Sequence, residues 1–175
     1  INGSFTSLIT ALPPLNTWTY VSVSRSSATG LGYIYYNGSL RISATVAAST
    51  GVTNPFQIFT NGEGGTSGVY GYLSNFRVSN TARYVGGNYS VPTAPLTADT
   101  GTRLLTCQDN RFVDDSANNY ALAISGTPSV QAYSPYVPAY ITPTTYSNFF
   151  DGNGDNLTAP QGSSFQFPGD FTIEC

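Results

Sequence analysis

The sequence predicts an all-β fold, and three observations carry that prediction. Charged residues make up only 9% of 175 residues, against roughly one quarter in an average soluble domain. The six cations are all Arg, and Lys, His and Met do not occur, which removes much of the vocabulary from which helices are built. Short apolar runs recur roughly every 8–12 residues with turn residues between them, the spacing of a sandwich or jelly roll. Hydrophobic residues reach 40% and aromatics 14%, so a core can form. Its polar cover must come from Ser, Thr, Asn and Gly, which suit strands and turns.

The elements follow in order. "TWTYVSVSRS" (17–26) sets Thr19, Val21 and Val23 against Trp18, Tyr20, Ser22 and Ser24, a period-two strand with one buried face. "GYIYYNGSLRISATVA" (32–47) reads as a hairpin, because Asn37-Gly38 supplies the two φ > 0 residues of a type I′ turn. "NPFQIFTNG" (54–62) and "GVYGYLSNFRVS" (68–79) are strands around the glycine-rich "GEGGTSG". "VGGNYSVPTAPLTADTG" (85–101) is a polar stretch with no strand pattern. "TRLLTC" (102–107), "YALAISG" (120–126), "SVQAYSP" (129–135), "YSNFF", "DNLTAP" and "FTIEC" complete the set. No segment suits a crossover helix, so the pairing is antiparallel.

Charge narrows the function. A formal net charge of −3 with six scattered Arg does not make the basic stripe that nucleic-acid backbones require. No apolar run approaches the ~20 residues of a membrane span, and no basic segment followed by an apolar one opens the chain. Ile1 in place of Met, and an end at Cys175 inside an alternating run, lead to the expectation of a segment from a longer polypeptide. Cys107 and Cys175 each close a short apolar run, where a free thiol behaves as a small hydrophobe.

"WTYVSVSR", the hairpin "YIYYNG" and "GYLSNFRVSNTARY" resemble the second half of a LamG-type, concanavalin A-like jelly roll. "TRLLTCQDNRFVDDSANNYAL", "SNFFDGNGDNLTAP" and "GDFTIEC" resemble the first half. The halves stand in reversed order. The version with "LLTCQDNRFVD", "SVQAYSP" and "TARY" is similar to tandem repeats of long structural proteins of tailed phages, cyanophages in particular. The resemblance implies an antiparallel jelly-roll sandwich, divided as 1–98, the C-terminal half of one repeat with a trailing linker, and 99–175, the N-terminal half of the next. The alternative is one sandwich in permuted order. It also implies a structural and adhesive repeat of a virion fibre or appendage, at the virion surface or otherwise extracellular. Its partners would be other copies or repeats of the same protein, as a homo-oligomer, and host-surface polysaccharide. A carbohydrate-binding adhesin of a bacterial surface, or an accessory domain of a glycan-degrading enzyme, is the alternative.

Site candidates are few. Asp151, Asn153 and Asp155 alternate as hard-cation ligands would, yet no Asp or Glu follows within 156–169, and Asn and Gly are turn residues. Asp109, Asp114 and Asp115 share a loop with Asn118 and Asn119. There Ca2+ binding competes with Asx-turns to the local backbone, and no cofactor is the favoured reading. Tyr33 and Tyr35 offer stacking faces for sugar rings or cross-strand packing. Asn61, Thr66 and Ser67 lie on a glycine-rich loop whose backbone a neutral polysaccharide can approach closely. Without His or Lys there is no triad base and no Schiff-base amine. Jelly-roll hydrolases carry an E-x-D-x-x-E strand, whereas the only Glu residues are Glu63 and Glu174. The expectation is a non-enzyme.

Overall fold

The computed structural model describes residues 12–48, 54–59, 68–136 and 145–175. Among them run β1 (Val21–Ser26), β2 (Leu31–Tyr36), β3 (Ser39–Thr45), β4 (Phe56–Ile58), β5 (Tyr70–Leu73) and β6 (Phe76–Ser79). β7 (Thr102–Thr106), β8 (Ala123–Ser125), β9 (Ser129–Gln131), β10 (Ser147–Asp151), β11 (Asn156–Ala159) and β12 (Phe171–Glu174) follow, with one 3-10 turn at Ser163–Phe165. All the pairings are antiparallel.

A six-stranded sheet has the order β3-β2-β1-β12-β6-β7. Two three-stranded sheets, β5-β10-β9 and β4-β11-β8, pack against it. The chain passes between these small sheets three times, from β4 to β5, β8 to β9 and β10 to β11, so the strand order is the same in both. β12 is held between β1 and β6, while β10 pairs with β5 and β11 with β4. Strands from 12–98 and 99–175 therefore share every sheet.

Alternation along the large sheet sorts its residues. One face carries Phe76, Val78, Leu104 and Phe171 into a core with Ile58, Leu73, Phe150 and Leu157 from the small sheets. Aromatic rings fill the gap. Phe56 stacks on Phe165 at 4.8 Å between centroids, and Phe59 meets Phe150 edge-on at 4.8 Å. Cys107 and Cys175 are free thiols, Cys107 within this core and Cys175 packed against it.

The opposite face carries Ser22, Ser24, Tyr33, Tyr35, Arg77, Ser79, Thr172 and Glu174, and all are buried. The cover is the strandless segment 80–101. Tyr84 and Tyr89 stack at 3.7 Å and set their rings edge-on to Tyr35. The Tyr35 hydroxyl donates to the Gly86 carbonyl, and Asn88 accepts from the Leu40 amide. In the strand at 17–26 the serine face is therefore the fully buried one, while Val21 and Val23 are half-buried. Its hydroxyls suit this second interior because each finds a partner, Ser24 with Thr172 and Ser22 with Tyr89.

Turn chemistry explains the local boundaries. Asn37 and Gly38 take φ of 48° and 73°, as the hairpin reading requires, and the Tyr89 carbonyl sits where a Cβ on Gly38 would go. The run expected at 68–79 breaks in two at Asn75, whose φ is 58°. Its side chain donates to Ser74 and accepts from Leu96 and Gln108, replacing ladder bonds with side-chain ones. The expected strands at 120–126 and 129–135 shorten to three residues each, β8 and β9.

Candidate functional site

The outer face of β5-β10-β9 is aromatic. Tyr70 and Tyr72 alternate outward along β5, and Phe149 lies directly opposite Tyr72 in the register. Tyr133, just past β9, meets Tyr72 at 4.9 Å, and Trp18, just before β1, meets Tyr133 at 5.3 Å. Phe149 joins Tyr72 at 5.1 Å and Tyr70 at 5.5 Å. Four chain segments so converge on one patch. Tyr70, Tyr72 and Tyr133 are 78%, 45% and 52% exposed. Exposed rings at this density are costly to leave in water unless something covers them, and tyrosines offer an apolar face with a polar tip.

The mount of Trp18 is rigid. Tyr20, two residues on, donates its amide to Asn37 Oδ1 and accepts from the Asn37 amide, both at 2.8 Å. Its hydroxyl donates to Glu174 Oε2 at 2.5 Å, and the Tyr84 hydroxyl reaches the same oxygen at 2.6 Å. Arg77 places Nε and Nη2 on Glu174 Oε1, each at 2.6 Å, and Nη1 on the Thr97 carbonyl. Glu174 has no exposed surface. Arg83 approaches Oε1 at 3.7 Å and pairs with Asp99 at 2.7 Å.

Burial, then the Glu174 charge and hydrogen bond, push Tyr20 far above the usual tyrosine range. Tyr84 is pushed up to about 12 by burial first and Glu174 second. Burial also raises Tyr89, while the Arg83 hydrogen bond holds Asp99 below the usual carboxylate range. The arrangement is a satisfied polar interior that fixes β1, β12 and segment 80–101 together. It leaves Glu174 no access to a substrate.

The sequence candidates fall elsewhere. Tyr33 and Tyr35 are 5% and 0% exposed, so their rings pack within the protein and stay out of the surface patch. Asn61, Thr66 and Ser67 lie outside the described residues. Asp114 accepts the Leu105 and Ser116 amides on Oδ1, and the Ser116 hydroxyl and Tyr120 amide on Oδ2. Asp109 accepts from Asn110, and Asp115 lies exposed on the same loop. In the second candidate loop Asp155 accepts the Thr127 and Asp151 amides, and Asp151 accepts the Asn153 amide. These carboxylates staple their own loops. Among the described residues no three His, Cys, Asp or Glu side chains gather as a metal site. The turn expected at 151–155 forms, with Gly152 and Gly154 at φ of 78° and 77°. It turns the chain from one small sheet into the other rather than closing a two-stranded hairpin.

The aromatic patch is what sequence reading missed. Tyr70, Tyr72 and Phe149 alternate in their own strands, which was a usable signal. Trp18 and Tyr133 join only through the fold.

Comparison with known proteins adds one finding. No curated protein and no solved structure matches the chain. The model of the Laminin_G_3 family, described as the Concanavalin A-like lectin/glucanases superfamily, matches residues 2–85.

Proposed function

We propose that this chain is a non-enzymatic carbohydrate-contacting sandwich, serving as a structural and adhesive unit of an extracellular fibre of the phage-virion kind. The observation that carries the reading is the surface patch in which the exposed Tyr70, Tyr72 and Tyr133 pack with the half-buried Trp18 and Phe149. The lectin/glucanase match over 2–85 includes Trp18, Tyr70 and Tyr72 and supports the sugar class. At this patch the low charge favours a neutral polysaccharide segment, held by stacking and neutral hydrogen bonds rather than by electrostatic capture. Each site is weak, and repeated copies supply the avidity. The fibre setting and its homo-oligomeric partners rest on the resemblance of "LLTCQDNRFVD" and "TARY" to phage repeats.

Affinity electrophoresis through gels holding different neutral polysaccharides tests the reading. At least one polysaccharide should retard the multimerised protein, and Tyr72→Ala should restore its mobility. Retardation by none of them, or retardation indifferent to Tyr72, refutes the sugar reading.

A further inference from the structure

A cavity of about 360 Å³ opens where β7, the 3-10 turn and the segment leading to β12 meet. Its volume is at the small end of the range for ligand pockets. Asn80, Arg103, Ser163, Ser164, Gln166 and Asp170 line it, with Phe167 as an apolar patch. Arg103 reaches it through an irregularity in the sheet. Val78 faces Leu104 and Ser79 faces Thr102, so Arg103 is the extra residue of a bulge, a device that re-aims a side chain out of the ladder. The bulge is pinned from behind, because the Arg103 carbonyl accepts from Ser116 and Asn118.

The guanidinium is under-used. In the amide orientation that satisfies both its groups, Asn80 donates to the Gly101 carbonyl and accepts from Arg103 Nη2. Among the described residues no carboxylate lies within ion-pair reach of Arg103. Asp170, across the cavity, is engaged elsewhere. Its Oδ1 accepts the Ser27 amide at 2.6 Å and the Ser27 hydroxyl at 2.5 Å. Those bonds, with Arg25 nearby, hold its carboxyl below the usual range. Its other oxygen is left to accept. Ser164 already accepts from the Tyr120 hydroxyl at 2.7 Å, so its own proton is free to point inward.

We infer that this cavity binds a uronic-acid unit of a polysaccharide. The Arg103 fork matches a carboxylate, while Asp170, Gln166 and the two serines match ring hydroxyls. The inference rests on the carbohydrate reading for its ligand class, but it uses none of the residues of the aromatic patch.

Saturation-transfer NMR and calorimetry with sodium D-glucuronate test it, using methyl β-D-glucoside and sodium acetate at matched ionic strength as comparisons. Glucuronate should bind saturably and more tightly than either. Arg103→Gln should weaken it about tenfold or more, the worth of a charge-assisted bond. Gln166→Glu, near-isosteric and placing a like charge in the cavity, should do the same if the Arg103 variant fails to fold. Glucuronate binding no tighter than the glucoside, or unchanged in Gln166→Glu, overturns the inference. Tyr72→Ala separates the two readings, since it should spare glucuronate while abolishing capture of neutral polysaccharide. In the unmutated protein, retardation by a neutral polysaccharide without glucuronate binding overturns this inference alone, and glucuronate binding without retardation overturns the patch reading alone.

Discussion

Replacing Glu174 by Ala should destabilise the protein more than any surface change. Its carboxylate accepts four short bonds, from Tyr20, Tyr84 and two nitrogens of Arg77, with no exposed surface on the acid. Removing one member of a buried ion pair costs about 3–5 kcal/mol, because the partner charge stays buried. For a chain of this length that lowers the melting temperature by about 10 °C. Glu174→Gln keeps the shape and turns the tyrosine bonds from charged to neutral. It still removes the counter-charge of Arg77, so its cost should be smaller, about 2–3 kcal/mol. Urea melts of Glu174→Gln, Arg77→Met and the double variant give the coupling directly. The account expects a double variant more stable than the sum of the singles implies, by about 1 kcal/mol or more. A Glu174→Ala cost below about 1 kcal/mol, or strict additivity, would refute the reasoning that this network holds segment 80–101 to the sheet.

Other consequences are as direct. Tyr20, Tyr84 and Tyr89 are raised in the folded protein, so the unfolded chain loses these protons first, near pH ~10. Stability should therefore hold below that pH and fall steadily above it, seen as urea midpoints dropping and as an added step of tyrosinate absorbance on unfolding. EDTA should leave the melting temperature unchanged, since Asp114 and Asp155 spend their oxygens on backbone amides. A structural calcium at a hundredfold excess over Kd would instead contribute about 2.7 kcal/mol. Leu157→Ala, fully buried between the sheets, should cost about 2–5 kcal/mol within one cooperative transition. A second transition left untouched would show that the two chain segments unfold apart.

Much of the fold was legible because its information is local. Asn37-Gly38 specifies its turn by backbone conformation alone, and β1, β2 and β12 alternate in plain view. What alternation could not show was the second interior. Tyr33, Tyr35 and Ser22 read as one polar-aromatic face of a sheet, and nothing local says that residues 80–101 will cover it. That segment carries no strand signal, and it is anchored by side chains to partners up to ninety residues away. Glu174 was equally opaque. An isolated Glu at the end of an apolar strand gains meaning only when Arg77, Tyr20 and Tyr84 arrive from elsewhere. The acidic loops stayed open for the converse reason, since Asp114 and Asp155 suit cation ligation and amide stapling equally well by composition. The aromatic patch needed three-dimensional convergence, with Trp18 and Tyr133 115 positions apart (133 − 18) and 5.3 Å between rings.

Trp18 is the one tryptophan of the chain, and it sits at the edge of the proposed contact surface, so its emission reports on that surface alone. Titration with whichever neutral polysaccharide retards the protein should shift Trp18 fluorescence saturably. The same midpoint should govern retardation, and Tyr133→Ala should weaken both together. Polysaccharide bound with Trp18 emission unmoved, and with affinity indifferent to Tyr133, would contradict the account.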